Sequence, residues 1–341
     1  MLKILQIGCG AISQAWFSSI TKRDDVEICG IVDINKDAAL EKAAKFNLTC
    51  PVFTDTAKAI DTINPTIAID NVIPSVRLEL AKICMSKGLH VLSEKPLADT
   101  IDNAKQIIKL SDKYSREFFV MQNRRYNTGM FSYKNAIQTS LTGKIGYLGA
   151  EFFRDPHFGG FRDEMPSPLL IDMAIHTFDQ ARFLLGNDPV SVICKEYNPK
   201  WSWYKGNASA VCIFTFEDGT IFNYTGSWCA PGMKTSWDSN WRAVGSLGTC
   251  GWNGNDFPTA QIYDSNDKSR HPLDTDIRIQ KIECPLNSHE GCIDEMIESI
   301  KVGRKAQTDC RDNIKSLAMV FAAIKSSVQN REVQIKELLE E

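Results

Sequence analysis

The feature that most constrains this chain is a glycine turn directly after its first strand. Residues 2–7 form an apolar, strand-like run, and the glycine pair Gly8 and Gly10 follows at once. Glycines there let the backbone turn sharply and approach a pyrophosphate, which binds the N–H groups that open the next helix. The second strand ends at Asp33, whose carboxylate can accept hydrogen bonds from an adenosine ribose. Together these residues favour a dinucleotide site over an ordinary structural turn.

The residues beside the turn indicate which dinucleotide is bound. Ala11 and Ile12 open the helix and are expected to contact the cofactor, as is Ile34 after the acidic residue. A 2′-phosphate would meet the carboxylate of Asp33, and Ile34 offers no guanidinium to offset that repulsion. The sequence therefore predicts NAD and disfavours NADP, with Lys36 the nearby cation that argues the other way.

Length and composition narrow the class of protein. With 341 residues the chain is too long for one ordinary domain, so two are expected. The formal net charge is −3 without a basic tract, and no apolar run approaches the roughly 20 residues of a membrane span, so neither nucleic acid nor membrane is an expected partner. Eleven scattered cysteines without a C-x-x-C pair predict reduced thiols in a cytoplasmic protein.

The first third of the chain alternates strand and helix. Strand-like runs occur at 2–7, 26–33, 51–54, 66–70, 89–92 and 117–121. This alternation predicts a doubly wound parallel sheet, the Rossmann layout, as an N-terminal domain over residues 1–122. Ligands of such sheets bind beyond the carboxyl ends of the strands. Asn71 and Glu94 fall at that edge and are predicted to contact the cofactor with the glycine turn.

The pattern changes after about residue 123. Two alternating runs, 210–216 and 220–224, are joined by an Asp-Gly turn, which is typical of a β-hairpin. Further alternating runs predict a large, mostly antiparallel sheet, followed by helices near 287–302 and 311–329. The fold class is therefore α/β, with a second domain over residues 123–341 and a C-terminal helix able to pack back on the first.

Lys95 is a candidate for proton transfer. It lies in Glu94-Lys95-Pro96, directly after a strand of the nucleotide-binding sheet. The proline keeps Lys95 out of the helical region and so holds it at the strand tip. A lysine near a cationic nicotinamide has a lowered pKa and can donate or accept a proton. The alternative is a surface lysine before a helix-starting proline.

A polar stripe on an apolar helix is the second candidate. Ser167 as N-cap and Pro168 at the first helical position predict a helix start. Asp172, His176 and Asp179 follow at spacings of four and three, which places them on one helix face. A buried structural Asp–His pair is an alternative, and a metal site is a weaker one because no third ligand is visible.

These motifs together resemble a known family. The glycine turn at 8–13, Asp33, E-K-P at 94–96 and D-M-A-I-H at 172–176 resemble the glucose–fructose oxidoreductase, inositol dehydrogenase and rhizopine catabolism (Gfo/Idh/MocA) family over nearly the whole chain. The resemblance implies a Rossmann domain with bound NAD or NADP, and a second domain whose open sheet forms a homodimer or homotetramer. It also implies oxidation or reduction at a sugar, polyol or inositol carbon.

The resemblance also assigns roles to residues. It implies that His176 accepts the hydroxyl proton, that Asp172 orients the imidazole or a neighbouring hydroxyl, and that Lys95 assists proton movement and positions substrate. Arg125 and Tyr126, in a basic-aromatic stretch leading into the second domain, are candidates for substrate contact.

Arg162 is a further candidate for substrate contact. Ala174 and Ser167-Pro168 stand where family members often have glycines, which alters the start of this helix.

Two other functions fit the same pattern. One is a non-catalytic NAD-binding sensor, although a sensor has no need of Lys95, Asp172 and His176 together. The other is a reductase of a non-sugar substrate, which would be favoured if Asp172 and His176 proved dispensable. Several aromatic residues could stack on a sugar ring, although packing or an interface is the commoner use of aromatics on an open sheet. They are Trp201, Trp203, Tyr204, Trp228 and Trp237.

Overall fold

The computed structural model describes residues 1–139, 141–263 and 277–340. The chain divides into two compact units. The first unit comprises Met1–Asn123 and Leu286–Ile314, and the second comprises Arg124–Pro285 and Lys315–Glu341.

The strands and helices follow the order that the sequence pattern predicts. The strands are β1 Leu2–Ile7, β2 Val26–Val32, β3 Val52–Phe53, β4 Ile67–Asp70, β5 His90–Ser93, β6 Phe118–Val120, β7 Ile145–Phe153, β8 Pro189–Tyr197, β9 Ser209–Phe216, β10 Ile221–Ser227, β11 Asn240–Gly245, β12 Gly248–Trp252, β13 Thr259–Ile262, β14 Ile277–Arg278 and β15 Val333–Gln334. The α-helices are α1 Ser13–Ile20, α2 Lys36–Lys45, α3 Thr56–Ile63, α4 Arg77–Ser86, α5 Ile101–Tyr114, α6 Thr128–Gln138, α7 Ile175–Leu185, α8 Ser288–Val302, α9 Cys310–Gln329 and α10 Lys336–Leu339.

The first unit is built on a six-stranded parallel sheet. Its strand order is β3-β2-β1-β4-β5-β6, and each adjacent pair is parallel. The four residues of β4 are all buried, as expected for a central strand with helices on both faces. The strand order reverses between β1 and β4, which is where ligands of doubly wound sheets bind. The predicted parallel Rossmann sheet is confirmed.

Local sequence signals fix the starts of several helices in this unit. The side chain of Asn35 accepts hydrogen bonds from the first-turn amides of α2, Asp55 does so for α3 and Thr100 for α5. These caps satisfy backbone donors that have no acceptor within the helix.

The second unit is built on a nine-stranded sheet. Its order is β14-β13-β12-β11-β7-β10-β9-β8-β15, and within this sheet only the β7–β10 pair is parallel among the described strands. The predicted hairpin is β9 and β10, with Gly219 at a φ of 86° in the turn. The mostly antiparallel second sheet is confirmed.

One face of this sheet is covered by helix α7. Phe178 of α7 packs edge-on against Phe214 and Tyr224, with ring centroids 4.9 Å and 5.2 Å away. The alternating burial of β8 and β9 leaves the other face of these strands open. Helix α7 carries His176, so this packing fixes the helix on which the histidine lies.

Candidate active site

The glycine turn after β1 is shaped by close backbone packing. Gly8 has a φ of 90°, and a Cβ there would lie 2.7 Å from the carbonyl oxygen of Asn71. A Cβ on Gly10 would meet nothing within 4 Å, so the backbone at this residue is open to a ligand. The Gln6 amide donates 2.9 Å hydrogen bonds to the Gly8 carbonyl and to the Asn71 side chain, which ties the turn to the end of β4.

Asp33 is held by the backbone on both sides of it. Its Oδ2 accepts a 2.7 Å hydrogen bond from the N–H of Cys9, and its Oδ1 accepts a 2.8 Å bond from the N–H of Asn35. Each carboxylate oxygen can accept more than one hydrogen bond, so capacity for ribose hydroxyls remains. Burial, and then the charge of Asp33, raises the pKa of the Cys9 thiol to about 12, so this thiol stays protonated.

Three large apolar side chains are exposed at this edge of the sheet. Ile34 is 96% exposed, Ile73 56% and Ile12 44%. Isolated exposed aliphatics are ordinary, but each of these follows the carboxyl end of a different strand or its turn. Sequence reasoning did not select Ile73; its position directly after the β4 motif, in Asn71-Val72-Ile73, was the available signal.

A buried ion pair fixes the loops after β4 and β5. Arg77 has no exposed surface, and its Nε donates a 2.8 Å hydrogen bond to Asp70. The same guanidinium donates to the carbonyl oxygens of Val72 and Pro96. It therefore joins the two loops that carry the E-K-P motif and the end of β4. The Asp70–Arg77 pair was missed because Arg77 reads as an ordinary residue of an amphipathic helix.

Glu94 lies buried at the tip of β5. Its Oε1 accepts a 2.7 Å hydrogen bond from the indole N–H of Trp16, and Nε2 of His289 lies 3.7 Å away. Its Oε2 accepts a bond from the N–H of Lys95 at 3.2 Å. Burial alone would raise the pKa of Glu94, but contacts with His289 and Trp16 hold it below its ordinary value. Glu94 therefore stays charged, and the Lys95–Pro96 peptide that follows is cis.

The helix that carries Asp172 and His176 begins where the sequence predicts. Pro168 has helical dihedral angles, and the N–H of Ile171 donates a 3.0 Å hydrogen bond to the carbonyl oxygen of Ser167, so the start at Ser167-Pro168 is confirmed. The Ser167 side chain bonds to Glu196. Leu169–Ala174 then form a π-helical turn, which the sequence does not predict, before α7 begins at Ile175.

The acidic residues of the predicted stripe have different arginine partners. Asp172 Oδ2 accepts a 2.8 Å hydrogen bond from Arg162 Nε, and the Asp172 side chain is 11% exposed. His176 is 6% exposed. Asp179 accepts two hydrogen bonds from Arg125, at 2.6 Å and 2.7 Å.

The Arg125–Asp179 pair is buried. Its side chains are 6% and 1% exposed, and Ser316 donates a further 2.9 Å hydrogen bond to Asp179. Tyr126 is 6% exposed, and its ring lies 6.2 Å from that of Phe131. The structure therefore gives Arg125 a carboxylate partner inside the second unit, and substrate contact by Arg125 or Tyr126 stays a prediction.

Arg124 occupies different surroundings from its neighbour Arg125. Its guanidinium donates to the carbonyl oxygen of Trp237, and its Nη2 lies 3.9 Å from the sulfur of Met173. Met173 directly follows Asp172, so Arg124 reaches the same helical segment. Sequence reasoning chose Arg125 over Arg124, and nothing in a pair of adjacent arginines distinguishes them.

The aromatic residues fall into buried and exposed groups. Trp228 and Tyr204 are 1% and 3% exposed, which fits packing. Trp201 is 66% exposed and Trp237 38%, and the ring of Trp203 stacks on His157 with centroids 3.6 Å apart.

The described residues contain neither a metal-binding cluster nor a membrane-spanning helix. Across 1–139, 141–263 and 277–340, no group of three or more His, Cys, Asp or Glu side chains is placed to hold a metal ion. No helix in the same part of the chain is long and apolar enough to cross a membrane.

Comparison with known proteins agrees with this geometry. Residues 2–122 match the profile of the Gfo/Idh/MocA oxidoreductase family with its NAD-binding Rossmann fold, and residues 132–250 match the family's C-terminal domain. The chain is 22% identical to myo-inositol 2-dehydrogenase of Thermotoga maritima, over 99% of this chain and 100% of that protein.

Solved structures show the same fold. An oxidoreductase from Agrobacterium radiobacter in complex with NAD⁺, L-tartaric acid and magnesium matches with a TM-score of 0.86 and 18% identity, covering 99% of each chain. The WlbA dehydrogenase from Chromobacterium violaceum, in complex with NADH and UDP-GlcNAcA, matches with a TM-score of 0.83 and 18% identity, covering 98% of this chain and 95% of that one. The protein belongs to the Gfo/Idh/MocA oxidoreductase family and has that family's NAD-binding Rossmann fold.

Proposed function

We propose that the protein is an NAD-dependent oxidoreductase acting on a secondary alcohol carbon of a sugar, polyol or inositol. The observation that carries this proposal is the glycine turn with its carboxylate held in place by Cys9 and Asn35. The presence of Lys95, Asp172 and His176 in one chain supports a catalytic function over a sensor.

The residues of the first unit fit a dinucleotide. The open backbone at Gly10 leaves room for a pyrophosphate at the start of α1, where helix N–H groups have no acceptor within the helix. Asp33 is suited to the adenosine ribose, and a carboxylate there favours NAD over NADP.

Neighbouring residues complete the proposed cofactor set: Gly8, Ala11, Ile12, Ile34, Asn71, Glu94 and Lys95. The exposed Ile12 and Ile34 would supply apolar surface to the rings. When bound, the nicotinamide supplies a hydride acceptor or donor.

The proton is handled by the chain's own residues. We assign His176 as the base that takes the hydroxyl proton when the alcohol is oxidised, and as the acid in the reverse direction. Asp172, fixed by its bond from Arg162, orients the imidazole or a neighbouring substrate hydroxyl. Lys95 assists proton movement from the tip of β5.

Substrate binding is assigned to residues of the second unit. Arg162 is 33% exposed at its side chain while bonded to Asp172, so it retains donors for a substrate hydroxyl. Arg125 and Tyr126 are retained as substrate candidates.

The open sheet of the second unit is the proposed subunit interface. Ile193 of β8 and Val211 and Ile213 of β9 are 52%, 37% and 44% exposed on one face of the sheet. A contiguous apolar patch of this kind is typical of an interface. A homodimer or homotetramer through this sheet would cover it, and sedimentation of the purified protein tests this assembly.

The function is tested by following NADH formation with inositols, aldoses and sugar alcohols. Loss of an acid–base group typically lowers the rate by about 10²–10⁴-fold, so Lys95→Met and His176→Ala should each lower kcat by that order. His176→Ala should leave NAD affinity unchanged, because His176 is not in the proposed cofactor set. Lys109→Met, at an exposed position of α5, is the matched control. Near-normal turnover in both variants would remove them from the mechanism, and tight NAD binding without turnover on any substrate would favour the sensor.

A further inference from the structure

Two arginines of the second unit share one tryptophan. The guanidinium carbon of Arg154 lies 4.2 Å from the ring centroid of Trp237, and that of Arg124 lies 5.9 Å from the same centroid. Arg154 donates a 2.8 Å hydrogen bond to the carbonyl oxygen of Thr235, and Arg124 also lies over the ring of Phe152. The contacts of both guanidiniums are therefore aromatic faces and uncharged acceptors.

Neither arginine forms an ion pair with the part of the chain that the structure describes. No carboxylate oxygen there lies within 4.0 Å of a nitrogen of Arg124 or Arg154. Asp238 and Asp172 act on Arg124 only from a longer distance. Burial raises the pKa of Asp238 and the charge of Arg124 lowers it, with a net rise. Asp172 is already paired with Arg162.

Arg124 and Arg154 are partly exposed, and they differ from the fully buried arginines among the described residues. Arg77, Arg125 and Arg182 are each 6% exposed or less at the side chain, and each has a carboxylate at 2.6–2.8 Å. Pairing of this kind is the usual way to offset the loss of hydration of a buried charge. Arg124 is also desolvated: burial lowers its pKa to about 10, and Arg154 acts in the same direction. Among the described residues, these two neighbouring, half-buried cations therefore lack the carboxylate that the fully buried guanidiniums have.

We propose that Arg124 and Arg154 bind an anionic oxygen group of the substrate, which makes a sugar acid, such as a uronate or an aldonate, the substrate class. The inference rests on the proposed function, because it places this anion site in the substrate region of the same enzyme. A guanidinium binds a carboxylate in bidentate geometry, and a pair of them favours an anion over a hydroxyl group. Trp237, 38% exposed, supplies an apolar face beside the cations.

The anion site lies beside the helix proposed to carry the proton-transfer residues. Arg124 contacts Met173, which stands between Asp172 and His176 in the same helical segment. A substrate anchored by its acid group at Arg124 and Arg154 would present its hydroxyl carbons to that segment. Arg154 is therefore a specificity-determining residue, and Arg162, already bonded to Asp172, is not the main anion ligand.

The test compares acids with their neutral counterparts. Turnover with NAD⁺ is measured for D-glucuronate, D-galacturonate and D-gluconate against D-glucose, D-galactose and sorbitol, for the wild type and for Arg154→Gln. Binding of each compound in the presence of NADH is measured in parallel by calorimetry. Arg154→Lys retains the positive charge but cannot bind a carboxylate in bidentate geometry. Lys144→Gln, which removes an exposed charge in the same unit, is the control.

We expect the acids to have the higher kcat/KM, and Arg154→Gln to lower it for acids by about 10- to 100-fold, the usual effect of losing a hydrogen bond between charged groups. Neutral sugars should change little, Arg154→Lys should recover part of the loss, and Lys144→Gln should match the wild type.

The outcomes separate this inference from the proposed function. Turnover of neutral compounds with neither binding nor turnover of the acids would overturn the anion site and leave the function standing. Binding of acids that depends on Arg154, without turnover of any compound, would support the anion site and remove the enzymatic proposal. Acid binding that is unchanged in both Arg154 variants would also overturn the anion site.

Discussion

The first unit and the second unit present chemistry in different ways. At the edge of the parallel sheet, the proposed cofactor contacts are backbone groups and a few side chains within short motifs, such as the turn at Gly8 and Gly10. In the second unit, the candidate substrate region is built from side chains far apart in sequence: Arg124 bonds to Trp237, 113 residues away, and Arg125 to Asp179, 54 residues away. A site made of backbone turns tolerates change in neighbouring side chains, whereas a site made of paired charges depends on each partner.

The largest expected effect sharpens this contrast at the Arg125–Asp179 pair. Asp179→Leu leaves a buried guanidinium without its carboxylate and should lower the free energy of unfolding by about 3–5 kcal/mol. Urea denaturation followed by circular dichroism measures the change. The double variant Arg125→Met, Asp179→Leu should recover much of the loss, because no unpaired charge remains. A loss of less than about 1 kcal/mol in the single variant would show that the Arg125–Asp179 pair contributes no more than a surface ion pair.

The next effect separates two roles of glycine in the first unit. Gly8→Ala forces a Cβ to 2.7 Å from a backbone oxygen at a φ of 90°, so it should lower Tm and weaken NAD binding by about 100-fold. Gly10→Ala meets nothing within 4 Å, so it should weaken NAD binding through contact with the ligand and leave the Tm of the cofactor-free protein unchanged. Equal Tm values for the two variants would contradict the packing argument.

A smaller effect concerns pH and the second unit. Burial raises the pKa of Glu196 to about 7, with an opposing hydrogen bond from Ser167. Between about pH 4.5 and 7 the folded state keeps a proton that the unfolded state has lost, so stability falls as pH rises. Glu196→Gln should remove a fall of about 2 kcal/mol across this window, measured by urea denaturation at a series of pH values.

The control for this pH effect is Glu217→Gln, at an exposed position of the hairpin turn. It should leave the dependence of the free energy of unfolding on pH unchanged. If Glu196→Gln kept the wild-type dependence, a residue other than Glu196 would be the titrating group.

The smallest expected effect tests cofactor choice in the first unit. Asp33→Ser removes the charge that opposes a 2′-phosphate and shortens the acceptor that holds the N–H of Cys9. The ratio of the Kd for NADP to that for NAD should fall by about tenfold, since one charged contact is lost. Asp37→Asn, exposed on α2, is the matched control. An unchanged ratio in Asp33→Ser would show that this carboxylate does not select the cofactor.

The sequence was most informative where local chemistry decides structure. Alternating strands and helices, the turn at Gly8 and the hairpin turn at Gly219 each depend on a few neighbouring residues, and the observed elements lie within a few residues of the predicted ones. The order of the motifs along the chain is also enough to identify the family.

The helix that begins at Pro168 shows the limit of that reasoning. Ser167 and Pro168 correctly mark its start, but Leu169–Ala174 form a π-helical turn, and the Ser167 side chain bonds to Glu196 on β8. A helical pattern in the sequence reveals neither the π turn nor a bond to a distant strand.

The sequence by itself determined the two-part α/β architecture, the nucleotide-binding turn and the residues available for proton transfer. Only the tertiary structure decided which charges are paired: that Arg125 binds Asp179, that Arg77 bridges two loops, and that Arg124 and Arg154 meet at Trp237. The physical reason is range. Backbone turns and periodic burial are set by neighbours in sequence, whereas ion pairs depend on where distant strands and helices bring side chains together.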